Sequence, residues 1–241
     1  MSSIVTNTNR VGRFTSSMVH TLIKKGRSAE FSAPGIKYIN EKRHERKLMR
    51  SLDTGAYSRA SAWGLFLEQF VFSHFMGMRY VMCADKTALN SSIDNHAGSA
   101  DLIIPGELVA DIKCFQPRKF CLIADCFLLE DLEQFKKDFA AEYWQLVSNA
   151  MIHKVTRAES IVFMPTEENL VEIREMSHNY EGPDKWKYRF IVESDDYELA
   201  YIPNGSKYNS MYRFEFEVPQ ADIDLLTERL ALAEDELINP T

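Results

Sequence analysis

The sequence predicts an α/β protein in which helices flank a central mixed β-sheet. Segments with helical spacing of apolar residues alternate with short runs that are apolar and rich in β-branched residues. Two of these runs meet at Pro105-Gly106, a pair typical of a tight turn between strands. The 241 residues are 45% hydrophobic, which is enough for one domain with a substantial core.

Local patterns place each element in turn. Ser16 or Ser17 can start a first helix that ends near Gly26, and Pro34 starts a second helix that runs to about Arg50. Ser58 can cap a third helix, which Gly77 can end. Further helices are expected over about 118–137 and 138–153, and after Pro219. Strands are expected near 79–84, 99–104, 107–114 and 159–164, and alternation in Lys187–Glu193 predicts an edge strand.

We predict a single domain with three parts: a basic helical N-terminal lobe (1–57), a core (58–165) and a C-terminal extension without an assignable motif (166–241). Residues 1–50 hold eleven Lys or Arg against three Asp or Glu, a net +8, so that with −7 overall the remainder carries −15. A basic lobe over an acidic body suits nucleic-acid binding. Alternatively, Lys42, Arg43, Arg46, Lys47 and Arg50 form the solvated face of one helix.

The predicted hairpin carries three charged residues among apolar ones: Asp101, Asp111 and Lys113. Charges in an apolar strand are costly unless they pair or hold a metal. Two acids and a lysine at one hairpin suit a Mg²⁺-dependent phosphodiesterase, in which the carboxylates hold the cation and the lysine orients the nucleophile or neutralises the phosphate. The alternative is an exposed hairpin on which Asp111 and Lys113 form a solvated pair.

The length of the turn decides between these interpretations. With a two-residue loop, Asp101 lies opposite Ala110 and faces away from Asp111. With a three-residue loop or a bulge, Asp101 lies opposite Asp111 on the same face. A metal site therefore requires the second register.

A second candidate is Glu68, the only acid in the apolar helical run Ala62–Met76. Gly64 lies one turn earlier on the same side, where it would let a backbone or a ligand approach. Glu68 can therefore complete a metal site, or it can be a structural acid satisfied by an arginine or a backbone group.

The order of these motifs resembles the PD-(D/E)XK nuclease superfamily, and within it the phage lambda exonuclease and YqaJ branch. The resemblance covers roughly residues 8–165, and two positions depart from the usual pattern: Ala100 replaces a Pro, and Asp111 replaces a Glu. It rests on Trp63-Gly64 with Glu68, Gly98-Ser-Ala-Asp101, Asp111-Ile-Lys113, the segment Arg10–His20, and Glu142-Tyr-Trp-Gln145.

The resemblance implies a restriction-endonuclease-like nuclease core and a role for each motif. Asp101, Asp111, Glu68 and the Ile112 carbonyl would bind Mg²⁺, with Mn²⁺ as a substitute. Lys113 would position the attacking hydroxide, and Gln145 would hold its helix against the site or contact the phosphate. A terminal 5′-phosphate would be bound by Arg10, Thr15, Ser17 and Ser99.

The expected activity is a DNA exonuclease that acts 5′→3′ on double-stranded ends in phage-type recombination. A single-strand annealing protein as partner and a homotrimer are implied by the resemblance alone. The alternatives are a structure-selective or sequence-specific endonuclease on the same core and a non-catalytic DNA-binding module. The polar N-terminus, the absence of a membrane-length apolar run and four cysteines without a disulfide or CxxC pattern predict a cytoplasmic protein in a bacterial host cell.

Overall fold

The computed structural model describes residues 9–27, 29–52, 57–84 and 86–239. Its elements follow in chain order. They are β1 (Phe14–Thr15), α1 (His20–Ile23), α2 (Ala33–Leu48), α3 (Arg59–Phe75), β2 (Val81–Met82), β3 (Ala88–Leu89), β4 (His96–Gly98), β5 (Leu102–Ile104), β6 (Leu108–Lys113), α4 (Pro117–Leu128), α5 (Leu132–Asp138), α6 (Ala140–His153), β7 (Arg157–Phe163), α7 (Glu167–His178), α8 (Lys185–Glu193), β8 (Met211–Glu217) and α9 (Gln220–Ile238).

The described strands form two sheets. The larger has the order β2-β5-β6-β7-β8, with β6 and β7 parallel and the other pairs antiparallel, so it is mixed as predicted. The smaller has the order β1-β4-β3, with β1 parallel to β4. Helices α3, α4 and α6 cover the middle of the larger sheet, which explains why five of the six residues of β6 are buried.

The turn between β5 and β6 has the longer of the two predicted forms. Pairing of Ile104 with Leu108 leaves a three-residue loop, in which the amide of Glu107 donates to the Ile104 carbonyl at 2.9 Å. Gly106 has φ +75°, a conformation that glycine adopts without steric cost and that suits the position after Pro105 in a type II turn. This local choice places the acids of the hairpin on one face.

The predicted helices and core strands are confirmed, with three differences in extent. Helix α1 spans only four residues of the predicted 16–26, β2 spans two residues of the predicted 79–84, and the helical segment predicted over 118–137 forms two helices, α4 and α5. The Ser58 hydroxyl accepts from the Ser61 amide and caps α3, as expected. Two elements beyond residue 166 had no prediction. One is α7, which begins with a capping box between Thr166 and Asn169, and the other is β8.

The predicted edge strand at Lys187–Glu193 is wrong, because these residues belong to the helix α8. Tyr188 and Ile191, three residues apart, lie on one helical face and are buried where α8 packs against α3 and α7. The edge position of the sheet belongs instead to β8, where Phe214 and Phe216 point inward between exposed charged residues. The segment 166–241 thus supplies the fifth strand of the core sheet.

The basic face of α2 is largely committed to contacts within the protein. Arg46 forms a bidentate pair with Glu234 of α9 at 2.6 and 2.7 Å, and Arg43 donates to the Leu237 carbonyl at 2.8 Å. Lys42 is buried beside Glu45 at 3.0 Å. Lys47 and Arg50 are exposed. The interpretation of all five cations as one solvated face is therefore wrong for Lys42, Arg43 and Arg46.

Candidate active site

The register of the β5–β6 hairpin brings the two predicted acids together. Leu102 pairs with Ala110, so Asp101 lies opposite Asp111. The Asp101 amide donates to Asp111 Oδ1 at 3.3 Å, and the Ile112 amide donates to Asp101 Oδ2 at 2.8 Å. The backbone of the hairpin therefore holds both carboxylates, as the three-residue loop requires.

Lys113 completes this group at the end of β6. Its Nζ lies 3.9 Å from Asp101 Oδ2 and 3.8 Å from Asp111 Oδ2, beyond hydrogen-bond distance from either oxygen. Burial favours the neutral amine, but Asp111, Asp101 and Glu68 outweigh burial and raise the pKa of Lys113. Lys113 is therefore a buried cation rather than half of a solvated surface pair.

The acids of the site carry raised pKa values. Burial, and then repulsion from Asp101, raises the pKa of Glu68 to about 8. Burial and the neighbouring Asp111 raise the pKa of Asp101 to about 7, and burial also raises the pKa of Asp111. Several carboxylates compete for few counter-charges, an arrangement that a bound cation would relieve.

The donor set fits a hard divalent cation. Asp111 is only 1% exposed, so water in the bulk solvent does not reach its carboxylate freely. Its Oδ2 nevertheless has no hydrogen-bond partner in the described part of the chain. The Ile112 amide donates to Asp101 Oδ2. In an extended strand the carbonyl of a residue points to the same side as its amide, so the Ile112 carbonyl also faces Asp101. Among the described residues, no three or more His, Cys, Asp or Glu side chains are gathered closely enough to hold a metal by themselves. Mg²⁺ is commonly held by one or two carboxylates and keeps several waters, so this donor set suits it.

Glu68 reaches the site from α3 and also lines a cleft of about 530 Å³. Leu65 and Gln69 of α3, Met82, Lys86 and Tyr188 are also part of its wall. The closest contact that a methyl group at Gly64 would meet is the Cys114 carbonyl at 3.8 Å, so packing of the described residues does not require glycine there. The cleft leaves room for a substrate beside Glu68.

One buried residue of the site had no prediction. Asn149 of α6 donates to Asp111 Oδ1 at 3.3 Å and to the Ser99 carbonyl at 3.4 Å. It approaches closely because residue 98 is glycine: a Cβ at Gly98 would lie 2.6 Å from Asn149 Oδ1 and 2.0 Å from Ser16 Oγ. The sequence signal that could have identified Asn149 is its spacing: it follows Gln145 by four residues, one helical turn, and so lies on the same face of the helix.

Gln145 is half-buried and lies one helical turn before Asn149 on α6. Farther along α6, Ser148 donates to Ser16 Oγ at 2.8 Å and lies 2.6 Å from His96 Nε2. Burial lowers the pKa of His96 to about 4, so this buried chain of polar groups is neutral. It fastens the Ser16 turn to α6.

The residues predicted to bind a phosphate divide into two groups. Because β1 and β4 are parallel and Thr15 pairs with Ala97, Ser17 and Ser99 follow the adjacent ends of these strands. Ser17 is exposed and Ser99 is half-buried. Arg10 is exposed. Thr15 is only 4% exposed and its hydroxyl lies 3.1 Å from the Tyr38 hydroxyl, which makes it a support of the turn rather than a surface contact.

No family model and no curated protein matches the sequence. The fold, in contrast, is similar to solved exonucleases. An alkaline exonuclease from Laribacter hongkongensis is 12% identical with a TM-score of 0.60, over 95% of this chain and 89% of that one. The same enzyme in complex with dAMP is 13% identical with a TM-score of 0.60, over 96% and 90%. A phage-related exonuclease from Haemophilus somnus 129PT is 14% identical with a TM-score of 0.58, over 93% of each chain.

These structures cover almost the whole chain, including the segment 166–241 in which sequence analysis found no motif. No helix in the described ranges has the length and apolar character needed to cross a bilayer. Because the structural similarity extends over nearly the whole chain, the protein has the fold of the alkaline and phage-related exonucleases.

Proposed function

We propose that the protein is a Mg²⁺-dependent exonuclease that degrades double-stranded DNA from its 5′ ends. The observation that carries this proposal is the group of Asp101, Asp111 and Lys113 on one hairpin, in which the buried Asp111 Oδ2 has no hydrogen-bond partner among the described residues. The fold shared with exonucleases supports the class of reaction. A role in phage-type recombination, a single-strand annealing partner and a homotrimer belong to the same proposal and rest on the sequence resemblance.

Each residue of the site has a role in phosphodiester hydrolysis. Mg²⁺, held by Asp101, Asp111, the Ile112 carbonyl and Glu68 directly or through water, would activate water and neutralise charge on the phosphate. Lys113 stays protonated because its pKa is raised, so it donates hydrogen bonds that orient the attacking oxygen and is not a general base. Asn149 holds the Asp111 carboxylate. Water adds to phosphorus, and the bond to the 3′ oxygen breaks.

The direct test is digestion of a linear duplex labelled at its 5′ or its 3′ end, beside a closed circular duplex, with Mg²⁺ or with EDTA. We expect early release of 5′-labelled mononucleotide from the linear duplex, only with Mg²⁺, and no loss of the circle. Mn²⁺ should support the same products. Cutting of the circle would identify an endonuclease, and binding without cleavage under all conditions would identify a non-catalytic module.

Replacement of a metal ligand separates catalysis from binding. Asp111→Asn should abolish cleavage while DNA binding stays intact or becomes tighter, because one anionic ligand is lost at the floor of a DNA-binding site. The matched control is Asp224→Asn on the exposed face of α9, which should cleave like the wild type. Near-normal cleavage by Asp111→Asn would remove the active-site assignment.

A pocket for the terminal phosphate should discriminate between DNA ends. We expect faster digestion of 5′-phosphoryl than of 5′-hydroxyl duplex, because an arginine with hydroxyl donors binds a phosphate well. Arg10→Ala should erase most of this preference, whereas a cation that only follows the DNA backbone would weaken binding to both ends equally. Equal wild-type rates on the two duplexes would remove Arg10, Ser17 and Ser99 as a phosphate pocket.

A further inference from the structure

The N-terminal ends of α3 and α4 open onto one cavity of about 170 Å³, which we name the helix-start cavity. Arg59, Ala60 and Trp63 of α3 form one side, and Gln116, which precedes α4, forms another. The rest of the wall comes from the end of α8 and the segment after it, and includes Ser194 and Glu198. None of these residues belongs to the hairpin site.

The start of α3 presents backbone amides there. The first amides of a helix lack partners within the helix and carry the positive end of its dipole. In α3, the Ser58 hydroxyl takes the Ser61 amide, and no partner among the described residues takes the amides of Arg59 and Ala60. The start of α4 adds little to this, because Pro117 has no N–H and the Lys119 amide donates to the Gln116 carbonyl at 3.0 Å. The free amides of α3 therefore favour an anion in the cavity.

Two side chains add donors. Trp63 is 4% exposed, and its indole Nε1 has no hydrogen-bond partner within the described ranges. A buried donor without a partner is unfavourable by about 1–3 kcal/mol, so such donors normally serve a ligand or a water. The Arg59 guanidinium contacts the Phe190 ring at 5.7 Å and forms no ion pair with a described residue. Glu198 is the acid of the wall, and it is exposed.

The cavity lies close to the hairpin site. Gln116 is three residues after Lys113, and three residues span at most about 11 Å. Helix α3 passes over this same segment, since a methyl group at Gly64 would contact the Cys114 carbonyl at 3.8 Å. A polynucleotide with one phosphate at Lys113 can therefore place a neighbouring phosphate at the helix-start cavity.

We propose that the helix-start cavity binds a phosphate group, held by the α3 amides, the Trp63 indole N–H and the Arg59 guanidinium. The assignment of this phosphate to the DNA strand, a few nucleotides from the bond that is cut, rests on the proposed function. The chemistry of anion binding does not depend on that function.

The first test measures the rise in melting temperature with inorganic phosphate, in EDTA, for the wild type, Arg59→Ala and Trp63→Phe. Phosphate should raise the melting temperature of the wild type, and each variant should lose at least half of that rise. Without phosphate, Trp63→Phe should lose less stability than its smaller buried volume alone predicts, because it removes an unpaired donor and keeps an aromatic ring. The matched control is Arg189→Ala, which removes an exposed arginine from α8.

An equal rise in all four proteins would overturn the proposal. If Trp63→Phe fails to fold, Arg59→Ala decides the outcome, because the Arg59 side chain is exposed. Glu198→Gln gives a check in the opposite direction: it removes the negative charge from the wall and should lower the phosphate concentration needed for half of the rise.

The second test identifies the source of the phosphate. Duplexes in which one phosphate at a time is replaced by an uncharged methylphosphonate are bound in EDTA. Replacement of the phosphate at one position near the end should lower the DNA affinity of the wild type about tenfold, which is the contribution of one charge-assisted contact. The same replacement should leave the DNA affinity of Arg59→Ala unchanged. Phosphate binding without such a position would assign the cavity to a free phosphate compound. Phosphate binding without DNA cleavage would support the phosphate site and refute the nuclease function. DNA cleavage without phosphate binding would support the nuclease function and refute the phosphate site.

Discussion

At the scale of single residues, the hairpin site holds buried carboxylates that repel one another. Its carboxylates are buried with Lys113 as their shared counter-charge, and Lys113 lies too far from them for strong hydrogen bonds. A natural protein retains such a cluster where a ligand supplies the missing charge. Predictions at this scale concern Lys113 and Glu68.

Lys113→Met should lower turnover by at least about a hundredfold and leave the fold intact. The variant keeps most of the side chain and removes only the ammonium donor, and the loss of a positioned charge in a buried site is large for the transition state. Single-turnover rates and urea unfolding would be compared, with Lys154→Met, at an exposed position after the end of α6, as control. Unfolding without a specific loss of rate would make the Lys113 contacts structural.

Glu68 and Asp101 should make the stability of the metal-free protein depend on pH. The pKa values of Glu68 and Asp101 are raised from 4.5 and 3.8 to about 8 and about 7, so between about pH 4 and pH 8 the folded protein binds more protons than the unfolded chain. The contribution of these groups to stability is therefore greatest at low pH and is lost as pH rises toward 8. We expect the affinity for Mg²⁺ to increase as pH rises over the same interval, because Mg²⁺ binding displaces protons from these carboxyl groups.

Glu68→Gln should remove part of this dependence. In EDTA at pH 9 the variant should unfold at a higher temperature than the wild type, and at pH 5 the two should be similar. Its cleavage should be impaired at low Mg²⁺ and recover partly at high Mg²⁺. Glu228→Gln, at an exposed position of α9, is the control. Parallel stability profiles together with an unchanged Mg²⁺ requirement would make Glu68 a structural acid.

At the scale of elements, the site depends on how closely α6 approaches β4. Asn149 reaches Asp111 only because Gly98 has no side chain. The parallel pair β1–β4 brings the Ser17 turn to the same place. The contact between α6 and β4 therefore connects the metal site with the predicted phosphate pocket.

Gly98→Ala should destabilise the protein by about 1–3 kcal/mol, because the new methyl group would overlap Ser16 Oγ, Asn149 Oδ1 and Ile152 Cδ1. Urea unfolding measures this loss, and cleavage should fall more than stability since Asn149 moves away from Asp111. Gly77→Ala is the matched control, because a methyl group there has no described atom within 4 Å. Equal effects of the two substitutions would show that α6 can retreat from β4 without consequence.

At the scale of the whole molecule, α9 fastens the N-terminal lobe to the core. Arg229 of α9 is 1% exposed and donates to the carbonyls of Leu22 and Glu30 at 2.7 and 2.8 Å, with its guanidinium 4.1 Å from the Phe31 ring. On the core side, Asp222 of α9 accepts from Lys136 and from the Tyr143 hydroxyl, both at 2.5 Å. Helix α9 therefore joins the N-terminal lobe to the core.

Arg229→Met should lower the free energy of unfolding by about 2–4 kcal/mol, because two carbonyls and the Glu30 carboxylate lose a buried partner. DNA binding should weaken more than the rate of the chemical step, since α9 positions the lobe and not the hairpin. Arg189→Met, which removes an exposed arginine paired within α8, should change stability little. A full retention of stability by Arg229→Met would show that the lobe is held by apolar packing alone.

The sequence by itself determined the features that depend on neighbouring residues. Ser58 caps α3, Pro105-Gly106 turns the hairpin, and the order of Glu68, Asp101, Asp111 and Lys113 indicates the site. These features follow from backbone conformations and spacings that a short segment sets alone. The alternation in Lys187–Glu193 is also local, but it misled because packing against α3 and α7 selects the helix.

Only the tertiary structure decided which distant groups meet. The choice between two registers of the hairpin required the pairing of β5 with β6, and the contact of Asn149 with Asp111 joins residues 38 positions apart. The same holds for Arg43 and Arg46, whose partners lie in α9, and for the two helix starts that share a cavity. Such contacts are set by the packing of whole elements, which minimises exposed apolar area over the entire chain, so no local pattern specifies them.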